Sequence, residues 1–244
     1  MFRIVPSVLL ALVAFPGPAA EKIPDLGARI AEFQARREGP GLDPRDRATL
    51  ARAERELAER MPDPGLEPGQ RAPDFTLPNA YGERVTLSRH LEEGPVILTF
   101  YRGAWCPYCN LELKALHDAL PQFRRYGATL IAVTPQTPTR SREQLRADPY
   151  PFEVLSDLDS SVMRAYGLYF EVPEAMSDVY RRNLGLDLAD YNGEGRYVLP
   201  VPGTFVIDRQ GVVRAAFADT DYTRRMEPKA ILAALRRIAG GRIE

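Results

Sequence analysis

Apolar positions change period along this chain, and the changes mark out its parts. Residues 24–37 and 43–61 carry sparse apolar positions among Arg, Glu and Asp, with Leu50, Leu57 and Met61 near one stripe. That pattern predicts two helices that each pack a narrow face on something else. Asp43-Pro44 supplies an N-cap and a proline at the first helical position. Residues 62–72, with Pro62, Pro64, Gly65, Pro68 and Gly69, read as a linker. Beyond it the period switches to two. Phe75-Thr-Leu77 and Val85-Thr-Leu87 alternate around Asn79-Ala-Tyr-Gly82, which predicts a hairpin. Pro95 to Tyr101 is a near-continuous apolar run, as expected of a central strand covered on both faces. A helix over 107–126, a buried strand at 129–133, a helix over 139–147, a short strand at 152–155 and a helix over 159–166 follow. Strands at 203–208 and 212–217 flank the turn Asp208-Arg-Gln-Gly211, and a helix over 227–239 closes the pattern. Strands alternating with helices and ending in a hairpin plus helix predict a three-layer α/β/α fold around a central mixed sheet.

Two segments break this rhythm. Residues 167–200 hold Tyr169, Phe170, Tyr180, Tyr191 and Tyr197 around a predicted helix at 173–184. This aromatic insertion reads either as a lid, wall or dimer surface, or as a satellite hydrophobic cluster beneath a long connection. At the other end, Arg3 precedes the apolar run Ile4 to Phe15, and Pro16-Gly-Pro-Ala-Ala20 follows with small residues. The order and length match a secretory signal over 1–20, too short for a transmembrane helix of ~20 apolar residues. Cleavage there implies a periplasmic or secreted protein; without it the chain is cytoplasmic. The parts are then a signal peptide at 1–20, a helical extension and linker at 21–69, and a domain over 70–244 that carries the insertion.

Composition narrows the chemistry. Thirty-two Lys and Arg stand against 33 Asp and Glu, a net charge of −1, with the cations scattered rather than in blocks. That balance excludes nucleic acid and anionic membrane as primary partners. Cys106 and Cys109 are the only cysteines of the 244 residues, which excludes a four-cysteine zinc site, an iron–sulfur cluster and a multi-disulfide scaffold. The two histidines, His90 and His117, read as surface or helix residues. No metal or cofactor is called for.

The chemistry concentrates in Phe100-Tyr-Arg102-Gly-Ala-Trp105-Cys106-Pro-Tyr-Cys109-Asn-Leu-Glu112. A buried strand ends at Tyr101, and Cys106 stands where a helix begins, with Pro107 suited to its first turn. Cys109, three residues on, shares its face and can approach it to disulfide distance. Free amide N–H groups and the helix dipole favour a thiolate here. Such settings move a cysteine pKa from ~8.5 into the range ~3.5–7.5. A zinc site would need two further ligands, and His117 lies about 12 Å along the helix from Cys109. The pair reads as a redox pair.

With these residues in view, the chain resembles a family. Ala72-Pro-Asp-Phe-Thr-Leu77, the hairpin to Leu87, Leu98-Thr-Phe-Tyr101, Cys109, Glu112 and Thr204-Phe-Val-Ile-Asp208 resemble a peroxiredoxin. More closely they are similar to the Cys-x-x-Cys branch of the alkyl hydroperoxide reductase/thiol-specific antioxidant family. The resemblance covers about residues 70–240. It implies a thioredoxin-like fold, a hydroperoxide substrate, a thioredoxin-like reductant and room for a homodimer. In this register the peroxidatic cysteine falls on Cys109 and the family's glutamate on Glu112. The family's Pro, Thr and Arg fall on Arg102, Cys106 and Pro202, so three supporting residues are replaced; Arg102 is the candidate to stand in for the arginine. The same residues also resemble the thioredoxin and glutaredoxin motif Trp105-Cys-Pro-Tyr-Cys109. That register makes Cys106 the exposed nucleophile and expects a cis bond before Pro202, in Val201-Pro-Gly-Thr204, facing the pair.

Three functions follow. The first is a thiol peroxidase in which Cys109 becomes a sulfenic acid and Cys106 closes a disulfide. The second is a protein thiol–disulfide oxidoreductase in which Cys106 attacks. The third is a non-enzymatic binding module whose cysteines form a structural disulfide.

Overall fold

The computed structural model describes residues 23–36 and 41–241, so the signal predicted over 1–20 lies outside the described residues. The extension forms α1 (Leu26–Ala35) and α2 (Pro44–Arg60). Asp25 and Asp43 cap them, each side chain accepting from a backbone N–H two or three residues on. The predicted hairpin is β1 (Thr76–Pro78) and β2 (Arg84–Thr86), paired Leu77 to Val85. Its turn holds because the Asn79 side chain accepts from Tyr81 and Glu83 while Gly82 takes φ +86°. Next comes α3 (Leu87–Glu93), a short helix the sequence reading missed.

The main body is then β3 (Val96–Phe100), α4 (Pro107–Arg124), β4 (Thr129–Thr134), α5 (Pro138–Ala147), β5 (Glu153–Ser156) and α6 (Ser161–Ala165). The insertion supplies β6 (Tyr169–Glu171), α7 (Glu174–Leu184), α8 (Leu188–Asn192) and β7 (Val198–Pro200). The chain finishes with β8 (Gly203–Ile207), β9 (Val213–Ala218) and α9 (Pro228–Ala239).

The central sheet has strand order β5-β4-β3-β8-β9. β3, β4 and β5 run parallel, while β8 is antiparallel to both β3 and β9, so the sheet is mixed as expected. All five β3 residues are buried, which is why that strand reads as an unbroken apolar run. One face packs against α4 and α9 through Ile97, Leu116, Phe123, Val206, Ile231 and Leu235. The other carries a larger cluster of Leu98, Phe100, Tyr166, Phe205 and the hairpin's Leu77 and Val85. At ~1.5–3 kcal/mol per fully buried large apolar side chain, these clusters dominate the folding free energy.

The insertion joins that second cluster through Phe170, Met176, Tyr180 and Leu188 rather than forming a satellite one. β6 and β7 pair antiparallel, Phe170 opposite Leu199, and clip its two ends together. The extension packs outward as its thin apolar faces imply. The Leu26 and Gly27 amides donate to Glu227 at the start of α9, Arg29 pairs with Asp118 of α4 at 2.8 Å, and Asp46 of α2 accepts from Arg182 and Asn183 of α7.

Candidate active site

The carboxyl end of β3 opens into a short loop, and Cys106 is the N-cap of α4, with φ −89° and ψ 111°. Pro107 occupies the first helical position without losing a hydrogen bond, because that N–H has no acceptor inside a helix. The loop is fixed from outside. Gln136 Oε1 accepts from the Ala104 amide at 2.8 Å, Asn110 Nδ2 donates to the Ala104 carbonyl at 2.8 Å, and Tyr101 donates to Gln144 at 2.8 Å. Gly103 has φ +152°, and a Cβ there would sit 2.5 Å from Trp105 Nε1, so no other residue fits without moving the indole.

The two sulfurs lie 2.8 Å apart, both free and both buried, Cys106 at 1% exposure and Cys109 at 0%. They are not equivalent. Burial pushes the Cys109 thiol up, but the hydrogen bond from Cys106, the Arg225 guanidinium, and the backbone N–H and charge of Arg102 outweigh it and hold the pKa at about 5. Cys109 also sits in the first turn of α4, where the helix dipole favours an anion. Cys106 moves the opposite way. Burial, its hydrogen bond to Cys109 and the negative charge on Cys109 push its thiol well above the ordinary value. These causes favour the thiolate on Cys109 and the thiol on Cys106.

A second hydrogen-bonded chain supports the thiolate from the sheet side. The Thr99 and Thr204 hydroxyls, cross-strand partners on β3 and β8, are 2.9 Å apart. Thr204 donates to Glu112 Oε1 at 3.1 Å, Glu112 Oε2 accepts from Arg225 Nε at 2.8 Å, and Arg225 Nη2 reaches Cys109 Sγ at 3.5 Å. Glu112 is one turn along α4 from Cys109, which aims both at Arg225. Burial raises the Glu112 carboxyl to about 7 even with Arg225 and Thr204 holding it down. The Arg225–Glu112 pair is nearly solvent-free, at 2% and 1% side-chain exposure.

Arg102 is buried, not the solvated surface residue that a loop arginine suggests. Its guanidinium packs 4.5 Å from the Tyr222 ring centroid and 5.0 Å from that of Trp105, and donates to the Tyr180 hydroxyl at 2.5 Å. The insertion thus walls the site. Of the predicted site residues, the fold brings together Cys106, Cys109, Arg102, Trp105, Glu112 and Thr204. Pro202 lines a small cavity with Arg102, Thr220 and Tyr222, but its bond to Val201 is trans, not cis as the thioredoxin register expects. The reason is local: β7 already fixes Pro200 opposite Tyr169, and the Val201 amide donates to the Leu168 carbonyl at 2.7 Å, so an extended chain enters β8 directly. Cys106 is 1% exposed, so the exposed nucleophile of the thioredoxin register is not found. Arg225 is the residue that sequence reasoning missed, and it stands 116 positions from the cysteine it serves.

A mixed five-stranded sheet with a Cys-x-x-Cys at the start of α4, one cysteine reached by a buried arginine, is the site of a thioredoxin-fold thiol oxidoreductase. Residues 68–216 match the AhpC/TSA family, and the chain belongs to that family. It is 29% identical over 153 residues to alkyl hydroperoxide reductase E of Mycobacterium tuberculosis, covering 62% of this chain and 84% of that one. It is 27% identical over 149 residues to chloroplastic peroxiredoxin Q of Populus jackii, covering 61% and 59%. Among solved structures, peroxidoxin BcpB of Mycobacterium tuberculosis superposes with a TM-score of 0.56 at 23% identity over 71% of this chain and 98% of that one, a likeness of fold.

Proposed function

We propose that the chain reduces hydroperoxides with Cys109 as the peroxidatic cysteine and Cys106 as its resolving partner. The Cys109 thiolate attacks the outer peroxide oxygen, the O–O bond breaks, and the alcohol or water leaves as Cys109 becomes a sulfenic acid. The Cys106 thiolate, formed by loss of its proton, then displaces hydroxide from that sulfur, and the disulfide closes. An external thiol donor returns both to the reduced state. Arg225 reaches the sulfur, and Arg102 adds its charge and backbone N–H; both stabilise the thiolate and oppose charge building on the leaving oxygen. Glu112 and Thr204 orient Arg225.

The observation that carries this reading is that Arg225, buried and held by Glu112 and through it Thr204, reaches the Cys109 sulfur at 3.5 Å, so the stabilising cation is placed on Cys109. A protein disulfide oxidoreductase attacking through Cys106 needs the reverse. The two activities separate on the wild-type protein. Peroxide consumption coupled to a thiol donor, with insulin reduction no faster than the donor alone, is the expected result. Insulin reduction at thioredoxin-like rates without peroxide-dependent oxidation of Cys109 contradicts it. The N-terminal segment supports export as the setting, and sequencing the mature N-terminus from a periplasmic fraction checks a cut after residue 20.

A further inference from the structure

Beside Cys106 lies a cavity of ≈ 370 Å³, within the size range of small-molecule sites. Four parts of the chain wall it: Phe33 of α1, Trp105 and Tyr108 beside Cys106, Tyr180 and Leu184 of α7, and Tyr222 before α9. Its charge is unbalanced. Arg102, 4% exposed, forms no ion pair within 4.0 Å among the described residues, and its Nε is buried with no hydrogen-bond partner. Trp105 Nε1 is a second buried donor without one. Glu54 of α2 lies near enough to feel the Arg102 charge but makes no ion pair with it.

In the reduced protein Arg102 also feels the charge of the Cys106–Cys109 pair. Closing the disulfide removes that charge, and the guanidinium, held by the Tyr180 hydroxyl and the Trp105 and Tyr222 rings, is left facing the cavity without an anion. Only Cys106 of the pair lines this space. A reductant entering it meets the Cys106 sulfur, and attack there expels Cys109, the lower-pKa and so faster-leaving thiol. With Cys106 only 1% exposed, the opening favours a narrow thiol over a cysteine fixed on a protein surface.

Resting on the peroxidase reading above, we propose that this cavity binds a low-molecular-weight thiol bearing a carboxylate, which reduces the Cys106–Cys109 disulfide directly from the Cys106 side. The thiolate RS⁻ attacks Cys106 Sγ, a Cys106–S–S–R bond forms, the Cys106–Cys109 bond breaks, and Cys109 leaves with the electron pair. A second RS⁻ attacks the R sulfur, RSSR departs, and Cys106 takes up a proton. Two RSH become RSSR and the protein gains two electrons; one of the two thiol protons ends on Cys106 and the other in solvent. The anion is drawn in while the disulfide is closed and repelled once the thiolate reforms, so binding follows the redox state.

The test uses the full chain oxidised by one equivalent of hydrogen peroxide, with reduced glutathione as the anionic probe, cysteamine as the cationic one, and thioredoxin as the protein donor. The proposal expects disulfide reduction to saturate with glutathione. Cysteamine at equal thiolate concentration is slower by about tenfold, the equivalent of ~1.4 kcal/mol. Unreactive S-methylglutathione binds the disulfide form about tenfold tighter than the reduced form, and Leu184→Glu at the cavity rim raises the glutathione half-saturation severalfold and narrows or reverses its advantage over cysteamine. A linear, unsaturated response to glutathione matched by cysteamine, reduction by thioredoxin alone, or equal S-methylglutathione affinity in both redox states overturns it. If peroxide leaves both thiols intact, the peroxidase reading fails separately, and diamide then closes the disulfide so that the thiol arm is still read.

Discussion

Replacing Arg225 with methionine keeps the side chain's length and removes its charge 3.5 Å from Cys109 Sγ and 2.8 Å from Glu112. A unit charge at ~4 Å contributes about 4 kcal/mol at the effective dielectric of ~20 that describes such sites. At 1.36 kcal/mol per unit this bounds the change in the Cys109 pKa at roughly three units. The Arg102 charge and backbone N–H and the Cys106 hydrogen bond all remain, and Glu112, released from Arg225, rises further and becomes neutral at pH 7, which offsets part of the loss. The net expectation is a rise of about one to three units from about 5. At a pKa near 8 only ~10% of Cys109 is ionised at pH 7, so peroxide-dependent oxidation falls about tenfold from that cause alone. Part of the loss returns at pH 9. Following the ultraviolet thiolate absorbance of Cys106→Ser and of Cys106→Ser/Arg225→Met across pH isolates Cys109. A double variant that still titrates near the single variant's value would refute the assignment of Arg225 as the thiolate's cation.

Three further outcomes follow from the same geometry. The reduced protein gains stability as pH rises from about 5, the folded Cys109 value, to ~8.5, its unfolded one, because the unfolded chain binds more protons across that window; Cys109→Ser should lose this gain in chemical denaturation. Glu112 runs the other way, its folded value of about 7 lying above ~4.3, so it contributes stability below ~4.3 that is lost as pH rises through 7, and Glu112→Gln should flatten that fall. Thr204→Val leaves Glu112 Oε1 without a donor and should cost ~1–3 kcal/mol in urea denaturation, with Thr204→Ser recovering most of it.

The sheet was legible where burial is two-sided. The run Pro95 to Tyr101 became β3, and the Cys-x-x-Cys at the following helix start needed only spacing and helix chemistry to be read. The extension was legible because α1 and α2 bury so little that their polarity announces an outward-packing pair. Arg225 was not. It sits beside Arg224 in a chain whose cations are almost all arginine, and only the return of the chain before α9 carries it to Cys109. Arg102 was seen, but its burial could not be, since Tyr180 and Tyr222 that enclose it come from 78 and 120 positions away. The trans Val201–Pro202 bond was missed for a related reason: the β6–β7 pairing that sets the path into β8 is made of three-residue strands with no periodic signal.

The claim on which the account rests is that Cys109 attacks and Cys106 resolves. Anaerobically reduced wild type, Cys106→Ser and Cys109→Ser each receive one equivalent of hydrogen peroxide, and intact mass is read at intervals. The wild type should lose two hydrogens, Cys106→Ser should gain one oxygen that a sulfenic-acid trap captures on Cys109, and Cys109→Ser should stay unchanged over the same time. Oxidation of Cys109→Ser at the wild-type rate, with Cys106→Ser inert, would contradict it.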